Sequence, residues 1–248
     1  MDIWSNKLIT RDLVDLVEVV RRHDQRYTFD IDKLTALAES MEQLDYCKLE
    51  DVEIEFRLFK PIAKTSPKVD SIKINLHHAI STDPSIDASN QDPINNYKFD
   101  MMVTGFSESQ NFVNCWHLDC DRFYDDDGKV IEMTGVQKFT HPLYHFQFGG
   151  DKMGIQNSGE ILLLAAPRIP HPPMDIFLSI HFILKNFYSA KETAYSFIQD
   201  LYSDDDYKLI IDRAKQRMWA PYFKGLSSDD NKHQDFNMSK LFPLAVHD

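Results

Sequence analysis

The stretch HPLYHFQFGGDKMGIQNSGEILLLAAPRIPHPPMD, residues 141–175, marks the point where strand patterning gives way to helix patterning. Residues 161–166 are wholly apolar, which predicts a strand that is buried on both faces. Residues 174–187 are apolar nearly all round, which is typical of a helix in the centre of a core. The prolines between these segments predict a rigid, polyproline-like crossing from sheet to helix. The stretch therefore divides the chain into a sheet and the helices that follow it.

Upstream of this boundary, the hydrophobic period is two. Residues 51–58 alternate apolar and charged side chains, which predicts a half-buried antiparallel strand. Residues 69–78 and 97–106 repeat the pattern. The Asp-Gly pair at 127–128 predicts a hairpin that joins residues 112–123 to residues 129–136. With a further strand in residues 139–148, the sequence predicts an antiparallel meander of about six strands.

Helical patterns flank the predicted sheet. Thr10 can cap a first helix with an apolar stripe from Leu13 to Val20, and a second helix follows Asp30. After the crossing, three helices are expected, the last capped by Ser203 and ended by Pro221. The prediction is an α+β fold in which N-terminal helices precede the meander and a C-terminal three-helix segment packs on one face of the sheet. Residues 1–226 are expected to form one domain and residues 227–248 a tail that docks or binds a partner.

Composition narrows the classes of partner. A formal net charge of −12 opposes binding to nucleic acid or to an anionic membrane, and suits a protein with a basic surface. Three cysteines are too few, and odd in number, for a disulfide framework, which points to the reducing cytoplasm. The N-terminus is too charged for a signal peptide, and no apolar run approaches the ~20 residues that cross a bilayer. We therefore expect a soluble cytoplasmic protein without membrane contact.

One predicted strand carries metal-ligand types on a single face. Alternation places Cys115, His117, Asp119 and Asp121 on the same side of residues 112–123. Steps of two residues are about 7 Å apart, so neighbouring pairs could share a divalent cation, whereas the whole row could not. The alternative is an ordinary solvent-facing strand surface.

The boundary stretch adds further candidates for chemistry. His141 and His145 share a strand face, and they could converge with His117, while His171 is a candidate fourth imidazole. Histidines at such a site serve as metal ligands or as general acids and bases, and the rigid crossing could hold Arg168 beside them. The alternative is that these histidines are buried and hydrogen-bonded to backbone carbonyls. There is no G-x-S-x-G motif and no cysteine nucleophile with a base evident from sequence.

The end of the tail is apolar. Leu241, Phe242, Leu244 and Val246 lie close together after a polar stretch, and they are the predicted partner-binding residues.

The element order and the His141-Pro142 pair invite one comparison. The predicted order of elements is similar to that of ubiquitin-conjugating-like folds: a helix, an antiparallel meander, a proline-rich crossing and terminal helices. Those folds also carry a His-Pro pair after the meander. In that family the catalytic cysteine follows the His-Pro pair, whereas all three cysteines here precede His141. The resemblance therefore implies an inactive scaffold.

The functional expectation is a non-enzymatic protein that binds another protein as an accessory or neutralising subunit, without a cofactor. The alternatives are a metal-assisted hydrolase that uses the His/Asp candidates and an inactive ubiquitin-conjugating-like scaffold.

Overall fold

A computed structural model describes most of the chain. The described residues are 3–24, 28–58, 68–124, 130–131, 141–149, 153, 168–189, 191–192, 195–227 and 232–245. The helices are α1 Asn6–His23, α2 Asp32–Met41, α3 Ile176–Phe187, α4 Phe197–Ser203, α5 Asp205–Ser227 and α6 Met238–Leu241, followed by a 3₁₀ turn at Pro243–Ala245. The strands are β1 Lys48–Leu58, β2 Ser71–Thr82, β3 Ile94–Phe106, β4 Asn111–Cys120, β5 Phe123–Tyr124, β6 Val130–Ile131, β7 Tyr144–Phe148 and β8 Ile169–Pro170.

The predicted α+β fold is confirmed. Six strands form one antiparallel sheet in the order β1-β2-β3-β4-β7-β8, with helices before and after the strands in the chain. β1 to β4 pair in sequence as a meander, because each is joined to the next by a connection that reverses the chain. Among the described residues, no helix is long and apolar enough to cross a bilayer.

The hairpin predicted after residue 112 is only partly correct. Phe123 pairs with Ile131 and Tyr124 with Val130, so two short antiparallel strands flank the predicted turn, whose residues 125–129 lie outside the described residues. The long strand before it, β4, pairs with β7 instead. A turn motif fixes which residues meet across the turn, whereas the partner of a long strand depends on which apolar faces are buried together. The predicted strand at residues 161–166 lies outside the described residues.

Alternation along the strands gives the sheet two different faces. Phe99 of β3 and Phe146 of β7 meet edge to face, with ring centroids 5.8 Å apart, and both rings contact Phe182 of α3. Their face is therefore the helix-covered face, and it contains the core. Asp100 and His145 are sequence neighbours of these aromatic residues, so they project from the opposite face.

Several helix ends differ from the sequence prediction. α1 begins at Asn6, and Thr10 lies within it rather than at its start. Asp204, not Ser203, caps α5, since its carboxylate accepts hydrogen bonds from the amides of Asp206 and Tyr207. Pro221 does not end α5, which continues to Ser227.

Packing explains why α5 passes through its proline. Tyr222 is buried, its ring lies 6.2 Å from that of Phe236, and a Cβ on Gly225 would meet the Phe236 carbonyl oxygen at 2.2 Å. These close contacts with Phe236 hold the last turns of α5 against residues 232–245, which we call the C-terminal segment. The tertiary contact outweighs the hydrogen bond that a proline removes from a helix.

A buried group of charges fastens the C-terminal segment to the sheet. Arg122 forms ion pairs at 3.0 Å with both Asp92 and Asp235, and the Tyr144 hydroxyl donates to Asp92 at 2.6 Å. The Arg122 side chain is only 5% exposed and that of Asp92 1%. Lys240 pairs with the other oxygen of Asp235 at 3.2 Å. This Arg122 cluster contains two carboxylates and two cations, so its buried charges are compensated.

The proline-rich crossing forms part of the sheet. Ile169 and Pro170 make the edge strand β8, with His145 opposite Pro170 and Phe146 opposite Ile169. The chain then reaches Asp175, whose side chain accepts from the Leu178 amide and caps α3. The predicted polyproline-like crossing is therefore, over these two residues, an antiparallel edge strand.

Candidate functional site

A row of polar side chains crosses the sheet face that is opposite the helices. Glu53, His77, Asp100, His117 and Gln147 occupy matching positions on five successive strands, as the strand register shows. Side chains at matching positions lie about 5 Å apart, so neighbours in the row can interact directly. The row brings acids, imidazoles and an amide together in the middle of the sheet.

His117 is the best-connected member of this row. Its Nδ1 lies 2.5 Å from Oδ1 of Asp100, and its Nε2 hydrogen-bonds to the carbonyl oxygen of Gly149. Sγ of Cys115, two residues earlier on the same strand, is 3.6 Å from Nε2. Gly149 has φ +92°, a backbone conformation that favours glycine, and it aims its carbonyl at the histidine. Sequence reasoning had selected His117 and Cys115 but had missed Asp100 and the Gly149 carbonyl.

The hydrogen bonds of His117 favour its charged form. Contact with Cys115 is the largest cause that raises the pKa of His117, and the Gly149 carbonyl raises it further, while burial acts in the opposite direction. Both ring nitrogens face acceptors, which an imidazolium satisfies by donating twice. We name this arrangement, formed by Asp100, His117 and Gly149, the His117 clamp. It ties the chain after β7 to the centre of the sheet.

The order Cys115, His117, Asp100 is also that of a nucleophile, a base and an orienting carboxylate. In this structure, however, Cys115 is fully buried. A general base needs a free lone pair, whereas Nε2 is directed to the Gly149 carbonyl. The arrangement therefore acts as a structural clamp in this conformation.

One signal in the sequence could have located Asp100. The residues between β3 and β4 form a tight connection, in which Ser107 and Gln110 are hydrogen-bonded to each other. Counting outward from this turn places Asp100 directly opposite His117. The hairpin register, rather than a motif, carries the information.

The other predicted histidines are partly brought together. The rings of His141 and His145 are 5.8 Å apart between centroids, and His145 lies opposite Asp119 in the register of β4 and β7. Nδ1 of His145 is 2.9 Å from the Pro142 carbonyl oxygen, to which it donates. Burial lowers the pKa of His145, and the Asp119 charge opposes this effect. The pair is a buried neutral imidazole beside a second histidine.

A metal centre from all the candidates does not form. Among the described residues, no group of three or more His, Cys, Asp or Glu side chains is arranged to hold a metal ion. His117 makes its hydrogen bonds with Asp100 and Gly149. Asp121 continues the chain after β4, where its amide donates to the Leu143 carbonyl oxygen.

His171 does not join the other histidines. Its ring packs against Phe146 at 4.6 Å and lies 6.3 Å from Phe182, so it is on the helix-covered face, whereas His145 is on the opposite face. Its Nδ1 is 2.7 Å from the Pro172 carbonyl oxygen, and burial lowers its pKa. Burial is the main cause that lowers the pKa of His145, and the charge of Arg168 acts in the same direction. The expected convergence of His171 with the other three is therefore wrong, because it is on the far side of the sheet.

The predicted partner-binding residues divide into an anchor and an exposed part. Leu241 is fully buried and belongs to the core, so it cannot contact a partner in this conformation. Phe242 is 39% exposed and Leu244 is 70% exposed, and Met238 adds a third exposed apolar side chain in the same segment. Val246 lies outside the described residues.

Comparisons of the chain with protein-family models, with curated proteins and with solved structures found no significant match.

Proposed function

We propose that this protein acts by binding another protein that has a basic surface, and that the C-terminal segment provides the apolar part of the contact. The observation that carries the proposal is the exposure of Met238, Phe242 and Leu244 within seven residues of chain. Apolar side chains exposed together are typical of interaction sites, whereas single ones are ordinary. Phe and Met are also enriched at the centres of protein interfaces.

The exposed residues stand on an anchored base. Leu241 is buried between them, and the amide of Leu143 donates to the Lys240 carbonyl oxygen at 2.7 Å. The Asn237 side chain caps the short helix α6 by accepting from the Lys240 amide at 3.1 Å. A surface that is already ordered loses less conformational entropy when it binds, which favours affinity.

The charge of the chain supports the choice of partner. A net charge of −12 attracts a basic surface over several ångströms and speeds its approach, while the apolar contacts supply most of the affinity. Association should therefore be faster at low salt than at high salt.

A pull-down from the native host with quantitative mass spectrometry tests the proposal. The double variant Phe242→Ser, Leu244→Ser should lose the partner, because two central interface residues worth about 1–2 kcal/mol each together account for about 2–4 kcal/mol, or roughly 30- to 1,000-fold in affinity. The matched control is Leu209→Ser on α5, which removes an apolar side chain that is 52% exposed and distant in sequence from the segment. Equal recovery of the same proteins with all three forms would contradict the proposal.

One observation favours a second candidate function, a metal-assisted hydrolase that uses the His/Asp candidates. His141 and His145 lie together, and Asp119 is opposite His145. The variant His141→Ala, His145→Ala separates the two functions. It should keep partner binding if the protein is a binding subunit. Stoichiometric metal in protein purified without an affinity tag, lost in this variant, would favour the enzyme instead.

A further inference from the structure

A small pocket on the helical layer has a charge opposite to that of the whole protein. It has a volume of about 420 Å³ and lies between α3, the end of α4 and α5. Its polar lining consists mainly of cationic and aromatic residues, namely His181, Lys185, Tyr202, Tyr207, Lys208 and Lys215. We call it the α3–α5 pocket. The α3–α5 pocket is formed by residues of α3, α4 and α5, so it is separate from the C-terminal segment.

The lysines of this pocket are only weakly neutralised. Lys215 is 3.6 Å from Asp212, the one acid among the described residues of the lining, and this exposed pair contributes little. The ammonium of Lys185 is 3.9 Å from the centre of the Tyr202 ring, a cation–π contact that leaves its charge uncompensated. Lys208 is already held by the Ser203 carbonyl oxygen and by Asp205. Lys185 and Lys215 are therefore the cations available to a ligand.

Two uncharged polar groups of the pocket are available to a ligand as well. The hydroxyl of Tyr202 is buried and has no hydrogen-bond partner in the part of the chain that the structure describes. Leaving a buried hydroxyl unpaired costs about 1–3 kcal/mol, so a ligand that accepts from it would be favoured. Nδ1 of His181 is 2.9 Å from the Tyr207 hydroxyl. If the phenol donates to Nδ1, the proton of the neutral ring is on Nε2, which then becomes a donor.

The electrostatics around His181 match this description. Burial is the main cause that lowers the pKa of His181 to about 4, and the charges of Lys185 and Lys215 lower it further. Asp212 is the acidic side chain in the lining, and Tyr202 and Tyr207 pack against the imidazole as neutral groups. A neutral imidazole beside two ammonium groups is an environment that would stabilise a bound anion.

We propose that the α3–α5 pocket binds a phosphate group, either as inorganic phosphate or as the ester of a small molecule. Lys185 and Lys215 neutralise the dianion, since lysines bind phosphate as point charges. The hydroxyl of Tyr202 and Nε2 of His181 donate hydrogen bonds to its oxygens. The pocket volume is within the range of small-molecule sites and leaves room for an organic part of the ligand.

Proton NMR of the His181 ring, with titration calorimetry, tests the proposal on the full chain. Inorganic phosphate, compared with chloride at equal ionic strength, should shift the His181 signals and raise its pKa from about 4, because the anion offsets the two lysines. Lys185→Gln and Lys215→Gln should each weaken binding by roughly five- to tenfold. Lys185→Arg, which keeps the charge, should bind within about threefold of the wild type.

An exposed lysine outside the pocket provides the control for the phosphate-binding experiment. Lys191→Gln removes an exposed lysine outside the lining and should leave phosphate binding unchanged. Glycerol phosphate that binds more tightly than inorganic phosphate would assign the ligand to an ester, and the reverse order to the free ion. No phosphate-dependent shift at His181, or equal binding by Lys185→Gln, Lys191→Gln and the wild type, would overturn the proposal.

Discussion

Replacing Arg122 by methionine should destabilise the protein more than most other single changes of charge. The variant keeps the volume of the aliphatic stem but removes the guanidinium that pairs with Asp92 and Asp235, both at 3.0 Å. Each carboxylate is less than a tenth exposed, so neither can recover its lost partner from solvent. Lys240 still reaches Asp235, whereas Asp92 keeps only neutral donors such as the Tyr144 hydroxyl.

The size of the effect follows from these contacts. A hydrogen bond to a charged group contributes about 1.5–3 kcal/mol net, so the two pairs together account for about 3–6 kcal/mol. Removing one partner from a buried ion pair costs about 3–5 kcal/mol by the same reasoning. Burial already raises the pKa of Asp92, and Arg122 opposes this rise. Without Arg122 the carboxyl can take up a proton, which limits the loss, and we expect about 3–5 kcal/mol near neutral pH.

The loss should grow with pH. In the variant the pKa of Asp92 in the folded state rises further above its unfolded value of about 3.9, so the folded state binds the proton more tightly. Stability then falls as the pH rises past that unfolded value.

Urea unfolding between pH 4.5 and pH 7.5 measures both effects. The control is Arg57→Met, whose arginine is 57% exposed and pairs only on the surface, and it should change the free energy of unfolding by about 0.5 kcal/mol or less. A loss below about 1 kcal/mol for Arg122→Met, or a loss that shrinks as the pH rises, would show that Asp92 and Asp235 do not depend on the Arg122 charge.

Two further predictions concern the clamp and the C-terminal segment. Contact with Cys115 and, further, the Gly149 carbonyl raise the pKa of His117, so its charged form should stabilise the protein fully below about pH 6.5, and this contribution should be lost as the pH rises through the folded-state value. Thermal unfolding from pH 5 to pH 9 should show this decline in the wild type, and a His117→Gln variant with the same decline would argue against it. Leu241→Ala should lower the free energy of unfolding by about 2–5 kcal/mol, because its side chain is fully buried. Leu244→Ala should change it by about 0.5 kcal/mol or less in the same denaturation experiment.

The parts of the fold that sequence predicted well are those governed by local periodicity. The apolar stripe of α1, for example Leu13 and Val20, is buried as its spacing requires. The alternation in residues 51–58 likewise reappears as buried Ile54 and Phe56 in β1. Both patterns indicate which side of a helix or strand faces the core, and the spacing of apolar residues within a short stretch of sequence is enough to predict it.

The failures occurred where a distant contact overrides a local signal. Pro221 is a strong helix terminator in isolation, yet Tyr222 and Gly225 pack against Phe236, eleven residues beyond Gly225, and keep α5 helical. The Asp-Gly pair predicted a hairpin for β4, but β4 pairs with β3 on one side and β7 on the other, whereas the short strands β5 and β6 pair with each other. In both cases the deciding contact comes from residues further along the chain than those that carry the local signal.

The candidate site was predictable to the extent that it lies on one strand. Alternation correctly placed His117 and Cys115 on one face, and their atoms are in contact. Asp100 and Gly149 come from other strands, so their contacts with His117 depend on register and on strand order. His171 was misassigned for the same reason, since the sheet face it occupies is set by the pairing of β7 with β8.

Site-specific photo-crosslinking in the native host shows whether the C-terminal segment itself contacts a partner protein. A photoreactive residue at position 244, which is 70% exposed, is compared with one at position 209, which is 52% exposed on α5. Position 244 should give one discrete protein adduct that is less abundant at high salt, and position 209 should give none of that mass. No adduct from position 244, or the same adducts from both positions, would contradict binding through the C-terminal segment.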